Sequence, residues 1–252
     1  MKKILMLALT ATMMLVACKK DKGGDEPETI PTCAMVKWED SYGYSSTDVV
    51  KFDDKGRIKD DGSATYEYFP DKIIVKRDGD NIARCTLDAQ GRIVKIEDYN
   101  MEGEIDYFCE FEYNNEGYLI KSRRPYGSDY TIKTYTWENG NLVKIVETTN
   151  WNVSAPTSVT ETITYGNDVI KDKLIAQEIY NYYSSSKWNG GLIEYFGKMS
   201  KNAPVLIQSD YPWGSSYTYK KDAKGKINGY KEIYNTGSYS RWQEASVDYN
   251  CN

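Results

Sequence analysis

Between Phe108 and Tyr113 apolar and polar residues alternate strictly. Cys109, Phe111 and Tyr113 fall on one side, Glu110 and Glu112 on the other. A two-residue period belongs to an extended strand with one dry and one wet face. Weaker forms of the pattern run through Thr65–Phe69, Tyr130–Trp137 and Thr160–Tyr165. These segments are bounded by a recurring turn device: Asp53-Asp54-Lys55-Gly56, Asp88-Ala89-Gln90-Gly91, Asn114-Asn115-Glu116-Gly117 and Asp222-Ala223-Lys224-Gly225. Asx opens a type I turn, and glycine closes it in the left-handed conformation that other residues resist. Two positions after each glycine stands an aliphatic residue, Ile58, Ile93, Leu119 or Ile227. Asn139-Gly140 supplies a tighter, two-residue hairpin turn of the same kind.

Gly91 and Gly117 are 26 positions apart, and Gly117 and Gly140 are 23 apart, which fits one hairpin and its return. Further turn signals lie between them at Asp78–Asn81, Asn100–Gly103 and Tyr126–Asp129. The expectation is an all-β antiparallel up-and-down meander of repeated hairpins, with structural turns at Gly56, Gly91, Gly117, Gly140 and Gly225. Open edges invite pairing with other chains, so a long twisted meander curls into a curved sheet or incomplete barrel.

One stretch breaks the rhythm, Leu174–Pro212. Leu192, Tyr195, Phe196 and Met199 are spaced i, i+3, i+4, i+7, which predicts one face of a short helix beginning after Asn189. An apolar stripe of that kind packs as a plug or cap against the sheet. Its other reading is an insertion that shapes a ligand site, since irregular segments on rigid scaffolds commonly carry function.

Before the first strand the pattern changes altogether. Lys2 and Lys3 precede a mostly apolar run from Ile4 to Val16, and Leu15-Val16-Ala17-Cys18 follows. The run is too short for a permanent membrane span and reads as a signal peptide over residues 1–17. Its end is similar to the lipobox of bacterial lipoproteins, which implies diacylation of Cys18. An ordinary secretory signal is the alternative, but charges and glycine follow Cys18 at once. Residues 18–31 then form the acylated cysteine and a flexible linker rich in Lys, Asp, Glu, Gly and Pro, with a reach of roughly 20 Å. Residues 32–252 make a single domain, an ordinary length for one sandwich or barrel.

Removing Lys2 and Lys3 from the 32 Lys and Arg leaves 30 against 37 acidic residues, a formal net charge of −7. Such a body offers no electrostatic footprint for nucleic acid and no polybasic patch for anionic lipid. Membrane attachment would come from acyl chains alone, to the outer membrane on its periplasmic or surface face.

The unit Asx-x-x-Gly-Arg-Ile-x-Lys resembles the tyrosine-aspartate repeats of Rhs-type proteins. With the lipobox and the segment Gly197-Lys198-Met199-Ser200-Lys201-Asn202-Ala203-Pro204, the chain is similar to a family of Gram-negative lipoproteins of unknown function with a porin-like fold. The resemblance implies a curved or closing β-meander and brings no catalytic residues. It does not imply a channel, because the strands lack the lipid-facing apolar band of a membrane barrel.

The chain contains no histidine, which removes imidazole bases, Ser-His-Asp and Cys-His machinery and nearly all catalytic zinc sites. Asp53/Asp54 and Asp60/Asp61 are carboxylate pairs, but adjacent strand residues face opposite sides and turn Asx residues are explained by geometry. No enzyme activity, cofactor or metal is expected. Of the four cysteines after Cys18, Cys85 and Cys109 fall on strands separated by one other and read as buried thiols. Cys33 and Cys251 sit near the two ends of the body and could meet if the sheet closes, which residue spacing does not decide.

Two functions remain. One is a noncatalytic envelope-anchored binding module for a glycan, peptide or envelope partner, with Trp151, Trp188, Trp213 or Trp242 as platforms. Tyr182, Tyr183, Trp188, Asn189 and Trp213, close in sequence, are its candidate patch. The other is a structural or assembly component whose 23 Tyr and 6 Trp only pack across strands.

Overall fold

The computed structural model describes residues 30–151, 155–179, 192–249 and 251. Its strands are β1 (Cys33–Asp40), β2 (Ser45–Phe52), β3 (Ile58–Asp60), β4 (Thr65–Tyr68), β5 (Lys72–Arg77), β6 (Asp80–Leu87), β7 (Ile93–Tyr99) and β8 (Ile105–Tyr113). They continue as β9 (Leu119–Tyr126), β10 (Asp129–Glu138), β11 (Asn141–Thr149), β12 (Thr157–Tyr165), β13 (Pro204–Ser209), β14 (Gly214–Lys221), β15 (Ile227–Asn235) and β16 (Ser240–Asp248). Each strand pairs antiparallel with the next, and β1 pairs with β16 from Met35↔Asp248 to Asp40↔Gln243, so the meander runs to full closure as a barrel. Cys33 and Cys251 form a disulfide across this seam.

The expected turns are present. Gly56, Gly91, Gly117, Gly140 and Gly225 all have φ between +72° and +92°. In the longer turns the Asx side chain does further work: Asp88 Oδ1 accepts the backbone N–H groups of Gln90 and Arg92, and Asp53 does the same for Lys55 and Arg57. Ile58, Ile93, Leu119, Leu142 and Ile227, the first residues or near-first residues beyond these turns, are buried at 3% exposure or less.

A second device recurs at the same end of the barrel. Tyr113 Oη donates to the carbonyl of Ile93 at 2.7 Å, Tyr68 to Ile58 at 2.6 Å, Trp137 Nε1 to Leu119 at 2.7 Å, Tyr165 to Leu142 at 2.8 Å and Tyr219 to Pro204. Each joins an aromatic near the end of an even strand to the start of the preceding odd strand. The backbone carbonyls beside the turns thus find partners inside the barrel, where water would otherwise be needed.

That end is also where the β12–β13 connection lies. Helix α1 (Lys173–Ile179) buries Leu174 and Ile175, with the Asp172 carboxylate accepting the N–H groups of Leu174 and Ile175 as the helix cap. After the residues not described, the chain returns as one 3₁₀ turn, Ile193–Tyr195. Phe196 meets Phe111 edge-on at 5.1 Å and Tyr195 stacks on Tyr68 at 5.8 Å. The apolar stripe therefore plugs the barrel as expected, Leu192 and Phe196 fully buried and Tyr195 and Met199 partly.

The helix predicted to run through Met199 is absent from the described residues, and Gly197 shows why. Its φ is +79°, and a Cβ there would stand 2.4 Å from the Gly117 carbonyl oxygen. From that point the chain is extended along the turns, Lys198 N–H donating to Gly117 O and Lys201 N–H to Gly140 O, both at 2.9 Å. Contact with the barrel turns, which helical periodicity cannot register, overrides the local helical pattern.

Cys85, Ile96 and Cys109 lie side by side in one cross-strand row. One strand separates the two thiols; both are buried and neither is in a disulfide, and burial pushes the Cys85 thiol upward.

Candidate functional site

The barrel interior changes character along its length. At the plugged end it holds Phe52, Ile58, Ile73, Ile93, Phe111, Leu119 and the aliphatics of the plug. Moving toward the other end, the inward rows become polar. Phe111, Ser122, Lys133 and Glu147 are successive partners across β8–β11, and Tyr135, Ile145, Glu161 and Ser209 across β10–β13. The buried Ser122 and Tyr135 hydroxyls meet at 3.0 Å at the boundary between the two regions.

Beyond that boundary a cleft of about 390 Å³ is lined by Arg124, Tyr126, Thr131, Lys133, Glu147, Thr149 and Trp151. The Arg124 guanidinium lies over Tyr107 at 4.0 Å and over Tyr126 at 4.6 Å, and Tyr126 meets Trp151 edge-on at 4.2 Å. Lys133 pairs with Glu147 at 3.2 Å. Glu161 is half-buried beside them: loss of solvent raises its carboxyl pKa, Lys133 opposes the rise, and Glu147 and Asp210 add to it. Tyr107 is raised by burial first, then by its hydrogen bond to Asp98 and that carboxylate's charge, while Arg124 lowers it.

A second cleft at the same end, about 320 Å³, is bordered by Asp40, Ser41, Tyr42, Glu232, Tyr234, Arg241, Trp242 and Gln243. Arg241 lies over Tyr42 at 4.9 Å and over Tyr239 at 4.6 Å, and Trp213 packs on Tyr234 at 6.0 Å. Glu232 accepts from Tyr217 Oη at 2.9 Å and from Gln243 Nε2 at 2.6 Å. Asp40 accepts the N–H groups of Tyr42 and Tyr44, fixing the β1–β2 turn.

Of the residues nominated from sequence, Trp213 sits in the β13–β14 hairpin beside this second cleft, partly buried against the core. Tyr182, Tyr183, Trp188 and Asn189 lie outside the described residues, as does Cys18. Trp151 borders the first cleft at 44% exposure, whereas Trp242 lies under the Lys231 ammonium at 4.1 Å. Arg124, Tyr126, Lys133 and Glu147 escaped the sequence reading. Their signal was an inward strand register carrying charge where the neighbouring strands carry aliphatics. Among the described residues no three Cys, Asp or Glu side chains converge as a metal site.

The exterior is charged along the strands. Cross-strand pairs include Lys51–Asp60, Lys121–Glu112, Arg84–Glu97 and Lys220–Glu244. For Glu97, burial raises the carboxyl pKa, but hydrogen bonds from Lys95 and Arg84 outweigh it and hold the group below its ordinary value.

In overall shape the chain is similar to two solved structures. One is a porin-like protein from Bacteroides uniformis ATCC 8492, with a TM-score of 0.60 and 16% identity, covering 88% of this chain and 98% of that one. The other is a porin-like protein from Bacteroides vulgatus ATCC 8482, with a TM-score of 0.64 and 12% identity, covering 88% and 99%. At these identities the likeness is one of fold. No sequence-family model and no curated protein matches the chain.

Proposed function

We propose that this porin-like barrel is a noncatalytic lipoprotein of the outer membrane, acylated at Cys18, that binds its partner at the polar end of the barrel. The observation that carries the binding role is the division of the interior: apolar and plugged at one end, lined by aromatic rings, guanidinium groups and carboxylates at the other. A core built only for stability has no use for Lys133, Glu147 and Glu161 facing inward, since each charge brought out of water must be compensated. The charged exterior supports a role at the membrane through an anchor, with the barrel wall in water.

The alternative, a structural component without a ligand, draws support from the five aromatic hydrogen bonds at the plugged end, which employ four tyrosines and a tryptophan in holding strands together. It leaves the exposed Trp151 and Tyr42 at the other end unused. Mass spectrometry of the native N-terminal peptide tests the anchor: a diacylated Cys18 is expected, and an unmodified cysteine ends that part of the proposal. Iodide quenching of Trp151, read as the difference between the native protein and Trp151→Phe, tests the site. Protection on adding carbohydrate or peptide ligands is expected; a Trp151 signal indifferent to every ligand favours the structural reading.

A further inference from the structure

The two clefts at the polar end repeat one arrangement. In each, a guanidinium lies over two tyrosine rings, Arg124 over Tyr107 and Tyr126, Arg241 over Tyr42 and Tyr239. Each also has a tryptophan against a tyrosine, Trp151 on Tyr126 and Trp213 on Tyr234. We infer that they are two subsites for one extended ligand, and that this ligand is a neutral polysaccharide chain. The inference rests on the binding role proposed above and specifies the ligand.

Three features narrow the class. Trp151, Tyr42 and Tyr239 remain 44%, 59% and 49% exposed, leaving aromatic surface for the apolar face of a sugar ring. At the second subsite the Arg241 guanidinium, 4.9 Å from the Tyr42 ring and 4.6 Å from Tyr239, brings a planar fork of N–H donors suited to hydroxyl oxygens. The charge balance then disfavours an anionic chain: Asp98, Glu147 and Glu161 accompany Arg124 and Lys133 at the first subsite, and Asp40 and Glu232 accompany Arg241 at the second. Carboxylates equal or outnumber cations at both, so polyuronates and nucleic acids meet repulsion.

A peptide fits less well. An extended peptide is commonly held by adding to a free sheet edge, and this barrel is closed. A cationic side chain would have to compete for carboxylates already engaged, Glu147 by Lys133, Glu232 by Tyr217 and Gln243, and Asp40 by its turn. Sugar hydroxyls need no net charge, only donors and acceptors at fixed positions.

The span calls for a polymer. Trp151 follows β11 and Arg241 lies in β16, five strands further around the wall, about 24 Å at ~4.8 Å per strand. A chain of several rings reaches both. Occupying the second subsite is then an intramolecular event, so a long chain binds about 10²-fold more tightly than a fragment that reaches one.

The test is calorimetric titration of the domain with soluble neutral polysaccharides (β-glucan, α-glucan and galactomannan), with their short oligosaccharides, with polygalacturonate and with a set of basic peptides. The variants are Trp151→Ala, Arg241→Ala and the double variant, with Trp151→Phe and Arg241→Lys as conservative controls and thermal unfolding as the check on folding. Expected is binding of a neutral polymer, weakened at least tenfold by either alanine variant and about 10²-fold by both, with Trp151→Phe retaining most of it. Binding of polygalacturonate or peptides alone, lost in the same variants, overturns the neutral-polysaccharide assignment while leaving a binding site at the polar end. Binding of nothing, or binding indifferent to both variants, overturns the assignment and the binding role together.

Discussion

Replacing Gly197 with alanine should destabilise the protein far more than the same change at Gly91, although both glycines have nearly the same backbone angle, φ +79° and +77°. At Gly91 an added Cβ meets nothing within 4 Å, so the effect is conformational. A left-handed L-residue costs about 1–2 kcal/mol, and the reduced freedom of the unfolded alanine chain offsets about 0.4–1 of it, leaving roughly 1 kcal/mol. At Gly197 the same term applies, and the Cβ also falls 2.4 Å from Gly117 O and 3.0 Å from the Tyr113 ring. Both are fixed: Gly117 closes the β8–β9 turn, and Tyr113 is hydrogen-bonded to Ile93. Forcing the plug away adds an overpacking cost of about 1–3 kcal/mol, and loss of the Lys198–Gly117 backbone hydrogen bond adds about 1. The total is roughly 3–5 kcal/mol, so the two variants should differ by at least about 2. Denaturant unfolding measures this directly. In thermal unfolding of a domain this size the difference corresponds to about 4–8 °C. Equal midpoints for the two variants would mean that the Gly197 segment is not seated on the β8–β9 turn.

Three further outcomes follow from other parts of the barrel. The Cys33–Cys251 disulfide closes a loop of 218 residues, so changing both cysteines to alanine should lower stability by up to about 5 kcal/mol, read from denaturant midpoints of the variant and the reduced native protein. Tyr113→Phe leaves the Ile93 carbonyl without its donor inside the barrel and should cost about 1–2 kcal/mol, whereas removing the hydroxyl of exposed Tyr211 should change the midpoint little. The folded state holds the Glu161 proton more tightly than the unfolded chain does, so this group's contribution is most favourable below the unfolded carboxylate value and falls as pH rises through the raised folded one. Glu161→Gln should therefore flatten that decline in a pH series of unfolding temperatures, and an unchanged pH profile would count against the burial assigned to Glu161.

Much of the architecture is local and therefore legible in residue order. Asp88 and Gly91 define their turn without help from the rest of the chain, and Cys109, Phe111 and Tyr113 declare their inward face by alternation alone. Closure depends on Met35 finding Asp248, a long-range pairing; turn spacing predicts curling, and Cys33 and Cys251 near the two ends were the available hint of the seam. The helix expected through Met199 fails for the same reason: the apolar spacing reported burial correctly, but the Gly117 turn on which Gly197 sits belongs to another part of the chain. The polar clefts were hardest to see. Lys133 and Glu161 look like ordinary wet-face residues until the register places them beside Ser122 and Ile145, whose neighbours form the core. Trp151 and Trp213 were nominated from sequence, but the groups beside them come from other strands, Tyr126 under the Arg124 guanidinium beside Trp151 and Tyr234 beside Trp213.

The disulfide also gives the molecule a direction. β1 leaves Cys33 at the plugged end, and Cys251 is bonded back to that point, so both ends of the domain emerge beside the Asp53–Arg57 and Asp222–Lys226 turns. A lipid on Cys18 would hold the barrel by its plug, like a cup fixed by the base. The eight residues of β1, tilted as barrel strands are, carry the opposite rim about 20 Å further from the bilayer, beyond whatever length the linker adds. The aromatic rim would then face outward from its membrane, and lengthening or shortening residues 18–31 would change how far it reaches without changing what it presents.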